Sequence, residues 1–175
     1  MSSVIDVTIT YLEQCQPVWP KTSAPLGNKL AILRVEEPPV HFYRYLYDLI
    51  GGPYNWVSRR DLNNENLSRL IQDEDVYLYV LYCNGAPAGM AEIDAREKEV
   101  AEIKFFGLAP DFVGRGLGRY YLSNVIELAW QLNPDKVILE TCTLDHPAAL
   151  PLYQKLGFSV FDQRQGRVKM IEPEA

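Results

Sequence analysis

The chain has 175 residues, is 47% hydrophobic and 23% charged, and carries a formal net charge of −6. That length and balance fit one domain of ordinary size with a full core. The acidic charge, with a pI near 5.0, argues against nucleic acid as the main partner. No apolar run approaches the roughly 18–20 residues that cross a bilayer, so no membrane partner is expected.

The opening residues, Met1-Ser-Ser-Val-Ile-Asp6, lack the basic and apolar regions of a secretory leader, and a cytoplasmic location is the expectation. Cys15, Cys83 and Cys142 are odd in number and far apart. They suggest neither a disulfide framework nor a metal site, and read as small buried hydrophobes.

Residues 4–12 alternate apolar with polar side chains and read as a strand. The Pro-rich segment 14–28 reads as a loop, which would leave that strand at a sheet edge. Residues 29–35 form a second short strand. Pro38-Pro39 introduces a helix over 41–50, stopped by Gly51-Gly52-Pro53, with Phe42, Leu46, Leu49 and Ile50 toward the core. A loop with Tyr54, Trp56, Arg59 and Arg60 leads to a short helix near 64–72. Asn84-Gly85 joins strands 76–83 and 86–94 as a hairpin, because Asn-Gly supplies the positive φ angles of a tight turn. A third strand runs to Leu108. Leu122, Val125, Ile126, Ala129 and Leu132 then recur at helical spacing. Strand 136–141, helix 147–156 with Gly157 as its cap, and a last strand over 158–171 complete the chain. The order implies a mixed sheet with helices packed on it.

The segment Gly107-Leu-Ala-Pro-Asp-Phe-Val-Gly-Arg-Gly-Leu-Gly-Arg119 falls between a strand and a long helix. Gly114, Gly116 and Gly118 therefore sit on a strand-to-helix turn. A turn without Cβ atoms admits a ligand close to the backbone, and a helix N-terminus offers unpaired N–H groups to an anion. Together these make a pyrophosphate cradle. The spacing is not the Gly-x-Gly-x-x-Gly of dinucleotide folds, and no Lys-Ser/Thr follows as in phosphate-binding loops.

The run resembles the acyl-CoA site of the GNAT superfamily of N-acyltransferases, where Leu/Val-x-Pro precedes Gln/Arg-x-x-Gly-x-Gly/Ala. Leu108-Ala109-Pro110 and Val113-Gly114-Arg115-Gly116-Leu117-Gly118 fit that frame, with Val113 where the family has Gln or Arg. A second family segment, Asn-x-x-Ala-x-x-Leu-Tyr-x-x-x-Gly-Phe, is matched by Ala149, Leu152, Tyr153, Gly157 and Phe158, with His146 in place of Asn. The likeness covers residues 29–171 and leaves out the strand at 4–12.

The resemblance implies an α/β (α+β) fold: a mixed, mostly antiparallel twisted sheet of about six to seven strands flanked by helices, with two parallel strands splayed at the acyl-CoA site. It implies acetyl-CoA as cosubstrate and transfer to a primary amine of a small molecule. An ammonium must lose a proton before it attacks, and the expelled thiolate is best protonated as it leaves. Glu102 is placed as the base and Tyr153 as the acid. His146 is either a base or a cap and cofactor contact. Leu108, Ala109, Val113, Gly114, Arg115, Gly116, Leu117, Gly118, Arg119 and His146 would hold the cofactor, with an oxyanion-stabilising N–H near Leu108. Gly107 inside the strand suggests a bulge or a close backbone approach. Tyr43, Tyr47, Tyr54 and Trp56 would line the acceptor pocket, suiting an apolar or cationic amine. Arg59 and Arg60 would instead suit a substrate carboxylate. A homodimer is compatible with the family. A non-catalytic CoA-binding module and a protein N-acetyltransferase are the alternative readings.

Overall fold

The Asn84-Gly85 turn sets the register of the sheet. In the computed structural model both residues take positive φ, 52° and 91°, which joins β3 (Val76–Cys83) to β4 (Ala86–Asp94) in an antiparallel pair. The structure describes residues 4–18 and 20–171. Residues 1–3, which carry part of the leader reading, lie outside them.

Seven strands form one sheet in the order β2-β3-β4-β5-β6-β1-β7. β1 is Val4–Gln14, β2 Leu30–Val35, β5 Val100–Leu108, β6 Lys136–Cys142 and β7 Ser159–Lys169. Among the described residues only β5 and β6 run parallel. On one face lie α1 (Val40–Gly51) and α2 (Asn64–Ile71). On the other lie α3 (Leu117–Trp130) and α4 (Ala149–Lys155). Each face has its own apolar core. Leu46, Ile50, Leu67, Leu78 and Met90 fill the first, and Ile103, Leu122, Val125, Val137 and Leu156 fill the second.

The placement of β1 corrects the expected edge strand. β1 lies inside the sheet, paired along both sides, with Tyr11 opposite Glu140 of β6 and Thr8 opposite Gln165 of β7. Alternation within a strand tells which face is buried, but not which neighbours it takes. The loop after β1 is tied down along α3. Ser123 Oγ donates to the Pro20 carbonyl at 2.9 Å, and the Gln14 amide donates to the Leu156 carbonyl at 2.7 Å.

α1 turns Leu46 and Ile50 inward as expected, packs Phe42 and Leu49 against the same core, and adds Tyr43 and Tyr47 to the buried stripe. Tyr43, Leu46, Tyr47, Ile50 and Gly51 are buried, while Phe42 and Leu49 are only half-buried. Apolarity alone favours Phe42 and Leu49. Tyr43 and Tyr47 go inside because their hydroxyls find buried partners there. Tyr43 donates to the Glu92 carboxylate, and Tyr47 Oη lies 3.3 Å from Ser58 Oγ and accepts the Arg59 N–H at 3.3 Å.

The bulge in β5 is not at Gly107. Glu92 faces Phe105 and Ile93 faces Ile103, so Lys104 is the extra residue. Gly107 meets the second expectation, a close approach: a Cβ there would lie 2.6 Å from Ile50 Cγ2. α4 begins at Ala149, later than expected, which leaves Pro151 in its first turn, where no helical acceptor awaits an N–H. Among the cysteines only Cys83 is buried; Cys15 is exposed and Cys142 is half-buried.

Candidate active site

β5 and β6 pair in register from Val100–Lys136 to Ile103–Leu139, and no further. β5 instead continues along β4 to Leu108, and β6 continues along β1 to Cys142. The two strands therefore separate, and a cavity of about 480 Å³ opens between them. Its walls include Lys104, Phe106 and Leu108 from β5, and Leu139, Glu140 and Thr141 from β6. The Ala109 N–H donates to the Ala88 carbonyl at 2.8 Å. Backbone groups alternate along a strand, so Leu108 and Phe106 turn theirs the other way, toward the gap.

The glycine turn closes one end of the cavity. Gly114 and Gly116 take φ of 78° and 77°, a left-handed conformation that costs other residues strain. Gly116 caps α3 and no side chain occupies the first-turn N–H groups. A Cβ at Gly114 would meet nothing within 4 Å. Free N–H groups facing open space at a helix N-terminus fit a pyrophosphate. Val113, Gly114 and Gly118 line the cavity together with Leu108. Arg115 lies over the Phe112 ring at 5.1 Å, and Arg119 is exposed on the first turn of α3. Two expected contacts present no side chain to a cofactor. Leu117 is wholly buried in the α3 core, and Ala109 is buried on the opposite face. The N–H of Leu117 still belongs to the turn.

Tyr153 stands on α4 facing the cavity. It is buried, and its hydroxyl makes no hydrogen bond among the described residues. Burial, reinforced by the Asp145 carboxylate, pushes its pKa well above the ordinary tyrosine range. Asp145 is held by Thr141 Oγ1 at 2.6 Å and the Cys142 N–H at 2.9 Å. His146 also lines the cavity, its ring 6.3 Å from that of Tyr54. Its Nδ1 accepts the Ala148 N–H at 3.1 Å in the turn before α4, and the helix itself has no side-chain cap.

Glu102 does not line the cavity. Its carboxylate takes an ion pair from Lys104 Nζ at 3.0 Å. Two of the expected acceptor residues are likewise elsewhere. Tyr43 and Tyr47 belong to the α1 core, whereas Tyr54 and Trp56 do line the cavity. Gly51 admits the Trp56 ring, which lies 2.3 Å from where a Cβ would stand. Arg59 is engaged by the wholly buried Glu92 at 2.6 Å, and Arg60 by Asp48 at 2.8 Å. Asn55 fastens the end of β7 over this side. Its Nδ2 donates to the Lys169 carbonyl at 2.9 Å, and its Oδ1 accepts the Ile171 N–H at 2.6 Å.

Sequence reasoning missed Lys104, Glu140 and Asp145. Alternation along β6 puts Glu140 on the same face as Ile138, but only the register with β5 brings it to the cavity.

A splayed parallel pair, a glycine turn without a side-chain cap and a tyrosine hydroxyl with no partner among the described residues thus meet at one cavity. The model of the acetyltransferase (GNAT) family matches residues 33–158. The chain belongs to the GNAT acetyltransferase family. A Methanocaldococcus jannaschii protein named as an uncharacterized N-acetyltransferase is 29% identical over 107 residues, 58% of this chain and 46% of its own. This GNAT chain thus spans less than half the length of that curated relative. A solved structure from Novosphingobium aromaticivorans, assigned to the same family, superposes with a TM-score of 0.64 at 20% identity, covering 97% of this chain and 68% of its own. An aminoglycoside acetyltransferase from an uncultured soil metagenomic sample superposes at 0.59 and 16% identity, covering 73% of this chain and 87% of its own. At such identities the likeness shows the GNAT fold. No helix of the described residues is long and apolar enough to cross a membrane.

Proposed function

We propose that the protein transfers an acetyl group from acetyl-CoA to the primary amine of a small molecule. The observation that carries this reading is the Tyr153 hydroxyl, unpartnered among the described residues and set on the wall of the cavity that the splayed strands and the glycine turn also line. The residues present fit the cosubstrate. The first-turn N–H groups of α3 take the pyrophosphate, and the outward backbone of Phe106 and Leu108 pairs with the pantetheine arm. A thioester carbonyl held there is polarised by the Leu108 N–H, which is fixed before the reaction begins. Tyr153 remains protonated at neutral pH, so it supplies a proton to the departing thiolate. Glu102 holds Lys104 at the cavity wall through their ion pair.

The small-molecule acceptor is supported by the enclosure of this side. Tyr54 and Trp56 wall it, and Asn55 ties the end of β7 down beside it, which narrows the acceptor side. The fold is shared with an enzyme that acetylates aminoglycosides, which are small polyamines.

The test is thiol release from acetyl-CoA with a library of amines, comparing wild type with Tyr153→Phe. Turnover on small amines, lost in the variant, supports the reading. Binding of CoA with turnover on no amine would establish a non-catalytic CoA-binding module instead. Acetylation of proteins alone would establish a protein N-acetyltransferase.

A further inference from the structure

We infer that Glu140 is the carboxylate that receives the acceptor ammonium, and that the acceptor is a primary amine on an apolar body with no carboxylate of its own. The inference rests on the acyl-transfer reading and names the acceptor side of that site.

The separation of β5 from β6 is what frees Glu140. Leu139 is the last β6 residue paired to β5, and Glu140 is the first beyond it. Glu140 is exposed, lines the cavity, and makes no hydrogen bond or ion pair among the described residues. Glu102 faces Ile138 in register, so alternation puts Glu140 on the same sheet face as Glu102. Lys104 lies on that face as well. Burial alone would lower its pKa, but Glu102 and then Glu140 more than offset that, and its ammonium is stabilised. One ammonium therefore stands beside two carboxylates. The group carries a net negative charge, and a second ammonium completes it.

The rest of the wall decides what carries that ammonium. Ile9, Trp56, Phe105 and Val168 are apolar, and the Tyr54 and Trp56 rings favour a cation with hydrocarbon around it. Among the described residues, no lysine or arginine of the cavity wall is left unpaired for a substrate carboxylate. Arg59 is bound to Glu92, Arg60 to Asp48, and Lys104 to Glu102. The other carboxylate on the wall, Asp145, is already held by Thr141 and Cys142.

The step balances without a further reactant. Glu140 accepts one proton from the ammonium and releases it to solvent. The nitrogen lone pair forms the C–N bond as the C–S bond breaks. Tyr153 protonates the sulfur, and the second proton lost by nitrogen restores the phenol.

The experiment uses the full chain with saturating acetyl-CoA and two acceptors of one body, 2-phenylethylamine and phenylalanine. The expected kcat/KM for the amine exceeds that for the amino acid by about tenfold or more. Glu140→Gln should lower kcat/KM for the amine by about 10²-fold with the KM for acetyl-CoA unchanged. Glu102→Gln should cost less than Glu140→Gln. Calorimetric titration of 2-phenylethylamine into the CoA complex separates this inference from the reading it rests on. If wild type binds the amine but turns nothing over, acyl transfer fails, and loss of binding in Glu140→Gln still supports the subsite. Unchanged kcat/KM or binding in Glu140→Gln would overturn it. So would a preference for phenylalanine, a larger loss in Glu102→Gln, or no amine binding to wild type.

Discussion

Ile103 of β5 and Leu139 of β6 form the last rung of the parallel ladder, and the residues just beyond them, Lys104 and Glu140, both line the cavity. The bulge at Lys104 coincides with the point where pairing stops. An extra residue bends a strand and increases its twist, so β5 stays with β4 while β6 follows β1. The cavity is the space left by that divergence.

Tyr153 has a hydroxyl with no hydrogen-bond partner among the described residues. Tyr153→Phe is therefore expected to leave stability within about 0.5 kcal/mol of wild type. The rate of acetyl transfer should fall by about 10²-fold, with the affinity for CoA unchanged. Urea unfolding and steady-state thiol release measure the two effects independently.

Two glycines of the turn should respond differently to alanine. Gly116 has φ of 77°, so Gly116→Ala is expected to cost about 1–2 kcal/mol and to weaken CoA binding. Gly118 is helical, and its new Cβ would meet Leu108 Cδ1 at 3.7 Å and Leu152 Cδ2 at 3.9 Å, ordinary contacts. Gly118→Ala should stay within about 0.5 kcal/mol. Calorimetric titration with CoA and urea unfolding of both variants provide the comparison.

The pair of Arg59 and Glu92 is buried, with Glu92 wholly inaccessible and also accepting from Tyr43. Arg59→Met strands that charge and is expected to destabilise by about 3–5 kcal/mol. Adding Glu92→Gln removes the charge while keeping an acceptor for Tyr43, and should recover more than half of the loss. A double-mutant cycle by chemical unfolding reads the coupling.

Alkaline pH should destabilise the fold. Burial raises the pKa of Tyr43, Tyr121 and Tyr153 above the ordinary value. These phenols stay protonated in the native state, while the unfolded chain loses their protons near pH ~10. The unfolded state then binds fewer protons, so stability is full below that pH and falls as pH rises through it. Urea midpoints measured from neutral to strongly alkaline pH should drop for wild type. The drop should be smaller relative to each protein's neutral midpoint for Tyr153→Phe.

The amino-acid sequence by itself determined whatever depends on a few adjacent residues. Asn84-Gly85 and the glycines before α3 take positive φ because their own backbones allow it. The alternation of β1 and the Tyr153 segment are local in the same sense. The tertiary structure alone decided which strands meet. It put β1 between β6 and β7, and it turned Tyr43 toward Glu92, a partner far along the chain. It also brought Glu140 to the cavity. The physical reason is that periodicity assigns a side chain to a face, whereas its partner is set by non-local pairing register, which no local pattern encodes.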